Sequence, residues 1–119
     1  MSKNLQALSD EEVVILVRNA NQELYREIVV RYQEKLIRYV AYLIGDENLA
    51  ADAVQQTFIK AFVNLHGFKV KKKFSSWIYY RIAHNEAMNL TKANERVKRV
   101  KHFQRLYQPR GTFKKGRGF

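Results

Sequence analysis

The chain has 119 residues, 46% of them hydrophobic, which suffices for one small domain with a modest core, so we expect a single domain. It lacks cysteine, which excludes disulfides and thiolate metal sites, and its longest aliphatic run, residues 13–17, is too short for a signal or membrane segment. We therefore expect a cytoplasmic protein without a membrane segment. The net charge of +11 is unevenly distributed: there are 7 Lys or Arg against 9 Asp or Glu up to Phe68, and 15 against 2 beyond it. Because so basic a second half needs a polyanion beside it, we expect it to bind nucleic acid.

The apolar residues recur at helical spacing, and glycine and proline almost vanish before Gln108, so we predict an all-α fold. Ser9 followed by Glu12 is a capping box that starts the first helix. Asn21 is placed to cap the second helix, and Gly45 is placed to end it. The predicted buried stripe of this second helix comprises Leu24, Ile28, Tyr32, Leu36, Tyr39, Val40 and Leu43.

Asp46 or Asn48 starts a third helix, which ends at about Gly67. Its predicted buried stripe comprises Leu49, Ala53, Val54, Thr57, Phe58, Ala61, Phe62 and Leu65. Residues 68–74 then form a predicted loop that contains four lysines.

Ser75 or Ser76 is the predicted cap of a fourth helix that begins at about Trp77. We therefore predict a compact four-helix bundle over residues 1–96. Residues 97–119 are predicted to form a basic extension of the last helix and a flexible, disordered tail.

Catalysis needs titratable groups that converge, and this chain has few. His66, His84 and His102 lie in three different segments, and none has a partner at metal-ligand spacing. There is neither a phosphate-binding glycine loop nor a nucleophile elbow in the sequence. We predict a protein that is not an enzyme and that holds no metal or cofactor.

The fourth helix has two predicted faces if about 100° is added per residue from Trp77. Tyr79, Ile82, Ala83 and Leu90 form a narrow apolar stripe suited to the core. The opposite strip comprises Trp77, Arg81, Asn85, Met88, Asn89 and Lys92. Such a strip is typical of single-stranded nucleic-acid binding, because indoles stack on bases, cations neutralise phosphates and carboxamides read base edges. Periodicity allows equally that Trp77 packs against Phe74 and a neighbouring helix.

Lys69, Lys71, Lys72 and Lys73 lie in the loop beside this strip. A run of like charges is usually a solvated surface, but four lysines in one short loop repel each other unless an anion relieves them. Their position next to Trp77 favours phosphate binding.

Four ordered blocks with matching separations resemble region 2 of the extracytoplasmic-function (ECF) sigma factors, the small members of the sigma-70 family. They are residues 8–12 (LSDEE), 32–39 (YQEKLIRY), 52–58 (DAVQQTF) with 61–62, and 74–85 (FSSWIYYRIAHN). The resemblance covers about residues 8–96. It implies a helical bundle that docks on the clamp helices of the RNA polymerase β′ subunit. It also implies capture of the unwound non-template strand of the −10 promoter element.

The resemblance also implies roles for single residues. Asp52, Gln55 and Gln56 stand where the family contacts the clamp helices. The segment from Phe68 to Phe74 corresponds to the loop that pockets a flipped promoter base. Trp77 would form a wedge at the upstream edge of the bubble. The residues that we expect to contact DNA are Phe68, Lys69, Lys71, Lys72, Lys73, Phe74, Ser76, Trp77, Arg81, Asn85, Asn89 and Lys92.

The sequence departs from the family pattern in three ways. Ala51 and Gln56 replace usual acids, which reduces complementarity to a basic clamp helix. One extra residue separates Trp77 from Arg81, which would rotate the two side chains apart by about 100° in a regular helix. Lysines replace small and acidic residues in the loop, so we expect phosphate attraction to increase and base reading to relax.

The resemblance does not include region 4, the second family domain, which grips the −35 element. If Phe119 is the natural end, we expect a partner acting in trans to place the protein on promoters; an anti-sigma factor is another expected partner. Two alternatives stay open: a general single-stranded nucleic-acid binder that never contacts polymerase, and a docking subunit of a larger nucleoprotein assembly.

Overall fold

A computed structural model describes residues 4–106, and every regular element within that range is helical. The main helices are α1 (Asp10–Asn19), α2 (Tyr25–Ile44), α3 (Glu47–Val63) and α4 (residues 74–106), and short 3-10 turns lie at Leu5–Ala7, Gln22–Leu24 and Leu65–Gly67. Helix α4 consists of an α-helical turn, Phe74–Ser76, a π-helical segment, Trp77–Ala83, and a second α-helical part, His84–Leu106. The predicted all-α, four-helix fold is confirmed. The predicted disordered tail from residue 107 lies outside the described residues.

The helix ends follow local sequence signals. Ser9 and Glu12 form the reciprocal capping box, with the Glu12 N–H donating to Ser9 Oγ at 3.1 Å and the Ser9 N–H to Glu12 Oε1 at 2.8 Å. Asp46 caps α3 by accepting two backbone N–H bonds. Gly45 adopts a left-handed φ of 76° between α2 and α3, a conformation that glycine tolerates without strain.

The core lies where α1, α2, α3 and the first half of α4 meet. Its fully buried large side chains include Val13, Val14, Ile28, Leu36, Val40, Leu65, Phe74 and Ile78. Phe62, predicted to be buried, lies at the surface instead, with its ring 5.0 Å from that of Tyr25. The Tyr25 hydroxyl donates to the Phe58 carbonyl at 2.6 Å and so fixes α2 against α3.

The start and the phase of α4 differ from the prediction. The helix begins at Phe74, and neither Ser75 nor Ser76 caps it. Ile78 is fully buried although regular α-helical spacing places it on the exposed side with Trp77. The cause is the π-helical segment, whose wider turn changes the angle between residues on either side of it.

The second half of α4 extends beyond the bundle. All side chains from residue 95 to residue 106 are exposed. The predicted basic extension is therefore helical as far as Leu106.

Candidate nucleic-acid interface

Helix α1 fixes both ends of the lysine loop. At the first end, the Arg18 guanidinium donates to the Leu65 carbonyl at 2.7 Å and also to the Phe68 carbonyl. At the second end, the Phe74 N–H donates to the Glu11 carboxylate at 2.7 Å. A carboxylate at this position also complements the positive end of the α4 dipole. The loop between these anchors is thus held at a defined place on the bundle.

A pocket of about 490 Å³ lies between the loop and the start of α4. We call it the loop pocket; its lining residues are Gly67, Phe68, Lys69, Lys72, Lys73, Ser76, Trp77, Tyr80 and Arg81. Its volume is in the range of sites that hold small organic ligands. The structure therefore brings six of the side chains predicted to contact DNA to one cavity, in addition to Phe68.

The aromatic residues in and behind the pocket divide into buried and accessible ones. Phe68 is 3% exposed and Phe74 is fully buried, so these rings support the loop and do not offer a free face to a base. Trp77 is half-buried and packs on both, with centroid distances of 5.1 Å to Phe68 and 5.6 Å to Phe74. Trp77 therefore combines both roles that its position in the sequence allowed: it packs against the core and it also lines the pocket.

Positive charge dominates the loop pocket. Three lysines, Lys69, Lys72 and Lys73, and Arg81 line it, and no carboxylate from residues 4–106 does. Among residues 4–106, none of these cations forms a salt bridge. A bound anion would relieve their mutual repulsion, so the pocket has the charge that a phosphate site requires.

A second pocket, of about 420 Å³, lies between α3 and α4; we call it the helix pocket. It is lined by Lys60, Asn64, Arg81, Ile82, Asn85, Glu86 and Asn89. Arg81 lines both pockets and so joins them into one surface. Lys60 and Glu86 form a salt bridge across the helix pocket, which makes it less positive than the loop pocket.

Asn85 is oriented by its own helix. Its amide nitrogen donates to the Arg81 carbonyl at 2.8 Å, which leaves the amide oxygen as the group that can accept a bond from a ligand. Two of the predicted DNA contacts, Lys71 and Lys92, are exposed but line neither pocket.

The predicted polymerase-binding residues lie on the outer surface of α3. Asp52, Gln55 and Gln56 are all exposed, and their spacing places them on one face. The same face continues into Ile59 and Val63, which are 50% and 71% exposed. Neither apolar residue was predicted from the sequence, although Ile59 lies three residues after Gln56 and seven after Asp52, and Val63 lies four residues after Ile59, which is the spacing of one helix face.

Tyr80 was also not predicted from the sequence as a site residue. It lines the loop pocket and is 64% exposed, whereas its neighbour Tyr79 turns towards the core. Burial raises the pKa of Tyr79 and also that of Tyr39, whose rings are 5.1 Å apart. Both therefore stay neutral at physiological pH and support the inner side of Tyr80.

Within residues 4–106, no group of three or more acidic or histidine side chains converges as a metal site. No helix in the same range is both long and apolar enough to cross a membrane.

Residues 28–97 match the model of the family described as Sigma-70 region 2. The chain is 36% identical over 69 residues to the ECF RNA polymerase sigma factor SigW of Bacillus subtilis, covering 58% of this chain and 36% of that protein. It is 36% identical over 89 residues to the ECF RNA polymerase sigma-E factor of Escherichia coli K12, covering 75% of this chain and 46% of that protein. The chain thus spans less than half the length of these curated relatives.

Among solved structures, the fold is similar to an engineered region 2 of sigmaE, determined by NMR in complex with GTAAAA. The TM-score is 0.63 and the sequences are 34% identical. The similarity covers 91% of this chain and 100% of the sigmaE chain.

Proposed function

The chain belongs to the sigma-70 region 2 family, and its ECF-type relatives lead us to propose that it links RNA polymerase to a melted promoter strand. In this proposal, the outer face of α3 docks on the clamp helices of the β′ subunit. The loop pocket and α4 capture the unwound non-template strand of the −10 element. Both actions are binding functions that need no reacting group.

The loop pocket is the observation that carries the proposal. In it, Trp77 and Tyr80 lie among four cations, on a fold similar to one that was solved in complex with GTAAAA. Aromatic faces and cations together are the features by which proteins hold single strands. A duplex would not offer its bases to these rings, so the arrangement favours a melted strand.

The α3 face supports the docking part of the proposal. Asp52 forms no salt bridge within residues 4–106 and therefore has its charge available for a basic partner. Ile59 and Val63 extend the same face with apolar area, which a protein partner would bury. A mixed face of this kind is suited to a protein and not to nucleic acid.

Two binding measurements test the proposal. The first is a pull-down of purified bacterial core RNA polymerase with the full chain. The second is fluorescence anisotropy with the single-stranded hexamer GTAAAA, its complement and their duplex. We expect retention of core polymerase and stronger binding of GTAAAA than of the duplex. Equal binding of both single strands without polymerase retention would instead identify a general single-strand binder.

A further inference from the structure

We propose that Tyr80 is a second base-stacking residue of the loop pocket, placed there by the π-helical segment of α4. The proposal rests on the single-strand binding proposed above and adds a residue and a structural cause to it. It starts from two observations, the spacing of the buried residues along α4 and the exposure of Tyr80.

The buried side chains of α4 show that its second turn contains one surplus residue. Phe74, Ile78, Ala83 and Ala87 are all fully buried, at steps of four, five and four residues. The His84 N–H correspondingly bonds the carbonyl of Tyr79, five residues back, whereas an α-helix bonds four residues back. The π-helical turn thus keeps both halves of α4 in register with the core. Such turns occur frequently at functional sites.

The wider turn places two consecutive tyrosines in different environments. The Tyr79 ring packs against Tyr32 and Tyr39, with centroid distances of 6.1 Å and 5.1 Å. The Tyr80 ring lies 6.2 Å from Tyr79 and 6.4 Å from Tyr39, and most of it remains exposed in the loop pocket. Two neighbouring rings therefore support Tyr80 and limit its motion, which lowers the entropic cost of stacking a ligand on it.

The surroundings of Tyr80 select the class of ligand. Trp77 and Arg81 line the same pocket, together with the lysines at 69, 72 and 73. The positive charge disfavours cationic aromatic ligands and favours a planar group that carries a phosphate. Nucleotides of a single strand combine these properties, and stacking on them is tolerant of sequence because every base has a π-face.

Anisotropy titrations with variants of the 119-residue chain test the role of the ring, with labelled single-stranded GTAAAA and a thymidine decamer as probes. We expect Tyr80→Ala to weaken binding of both by about 5- to 150-fold, which corresponds to the loss of one stacked base. Tyr80→Phe should stay within about twofold of the wild type, because the stacking face is kept. The control is Tyr42→Ala, since Tyr42 is also exposed but lines neither pocket.

The outcomes separate this proposal from the proposed function. If the wild-type protein binds neither probe, the single-strand function itself is refuted. If the wild type binds and Tyr80→Ala matches it within twofold, only the role of Tyr80 is refuted. Equal losses in Tyr80→Ala and Tyr80→Phe would assign the effect to the hydroxyl group and also refute stacking.

Deleting Tyr80 tests the structural cause. The deletion makes every spacing between successive buried residues of α4 four residues. We therefore expect α4 to become a regular α-helix with its core contacts intact. Helical circular dichroism and a cooperative urea transition should persist, and binding should fall as in Tyr80→Ala. Deleting Gln55 from the regular helix α3 is the control and should destabilise the fold. Loss of the cooperative transition in the Tyr80 deletion would refute the claim that α4 contains one surplus residue at this turn.

Discussion

The Glu11 carboxylate accepts a hydrogen bond from the Phe74 backbone N–H, with 2.7 Å between the two atoms. Phe74 is the first residue of α4, so its N–H has no partner within the helix. The residue that satisfies this group therefore comes from α1, more than sixty positions earlier in the chain. The contact links the first helix directly to the end of the lysine loop.

Replacing Glu11 should loosen this end of the loop. We expect Glu11→Ala to lower the free energy of unfolding by about 1 to 2 kcal/mol, because a partly buried N–H loses its acceptor. Glu11→Gln should retain most of the stability, since an amide oxygen can still accept. Urea denaturation measures both, with the exposed Glu34→Ala as the control. Equal stability of the two Glu11 variants would contradict the role of this hydrogen bond.

Binding of single-stranded DNA should depend strongly on salt. We assume four to six phosphate contacts and about 0.7 counterions released per contact. The logarithm of the DNA-binding constant should then fall with the logarithm of the salt concentration, with a slope of about 3 to 4. The Lys72→Ala, Lys73→Ala double variant should reduce that slope by about 1.4. Arg26→Ala removes an exposed charge from α2 and serves as the control. A slope near zero for the wild type would exclude phosphate binding by this protein.

Trp77 should influence both stability and binding, because its ring packs on Phe68 and Phe74 while it lines the loop pocket. We expect Trp77→Ala to weaken strand capture by about 1 to 3 kcal/mol, measured under conditions where circular dichroism shows the variant folded. Trp77→Phe should recover part of this loss, because a smaller aromatic face remains. If the folded Ala variant binds as the wild type does, Trp77 serves only packing.

The sequence predicted the features that depend on near neighbours in the chain. Ser9 with Glu12, Asp46 and Gly45 signal helix ends through contacts within a few residues, and the structure contains all of these ends. The buried positions of α2 also followed from spacing alone, because α2 is a regular α-helix.

The phase of α4 could not be predicted in the same way. In a uniform α-helix, Ile78 would lie about 100° from Trp77 and away from the predicted apolar stripe, whereas the burial of both Ile78 and Ala83 requires a π-helical turn between them. That turn depends on packing against other helices, so the exposed position of Tyr80 could not be predicted from α-helical spacing either. The partial burial of Trp77 likewise depends on Phe68, which reaches it through the fold of the loop.

Docking on polymerase should depend on the exposed face of α3. Asp52→Arg should abolish retention of core polymerase, because it reverses the charge offered to a basic clamp helix, and the fold should persist since Asp52 is exposed. Gln56→Glu should strengthen retention by adding a second acid on the same face. The measurement is a pull-down of core polymerase, with Glu23→Arg as a charge-reversal control before α2. Binding of single-stranded DNA should not fall in Asp52→Arg, because Asp52 lines neither pocket. Undiminished retention of polymerase by Asp52→Arg would show that this face is not the docking surface.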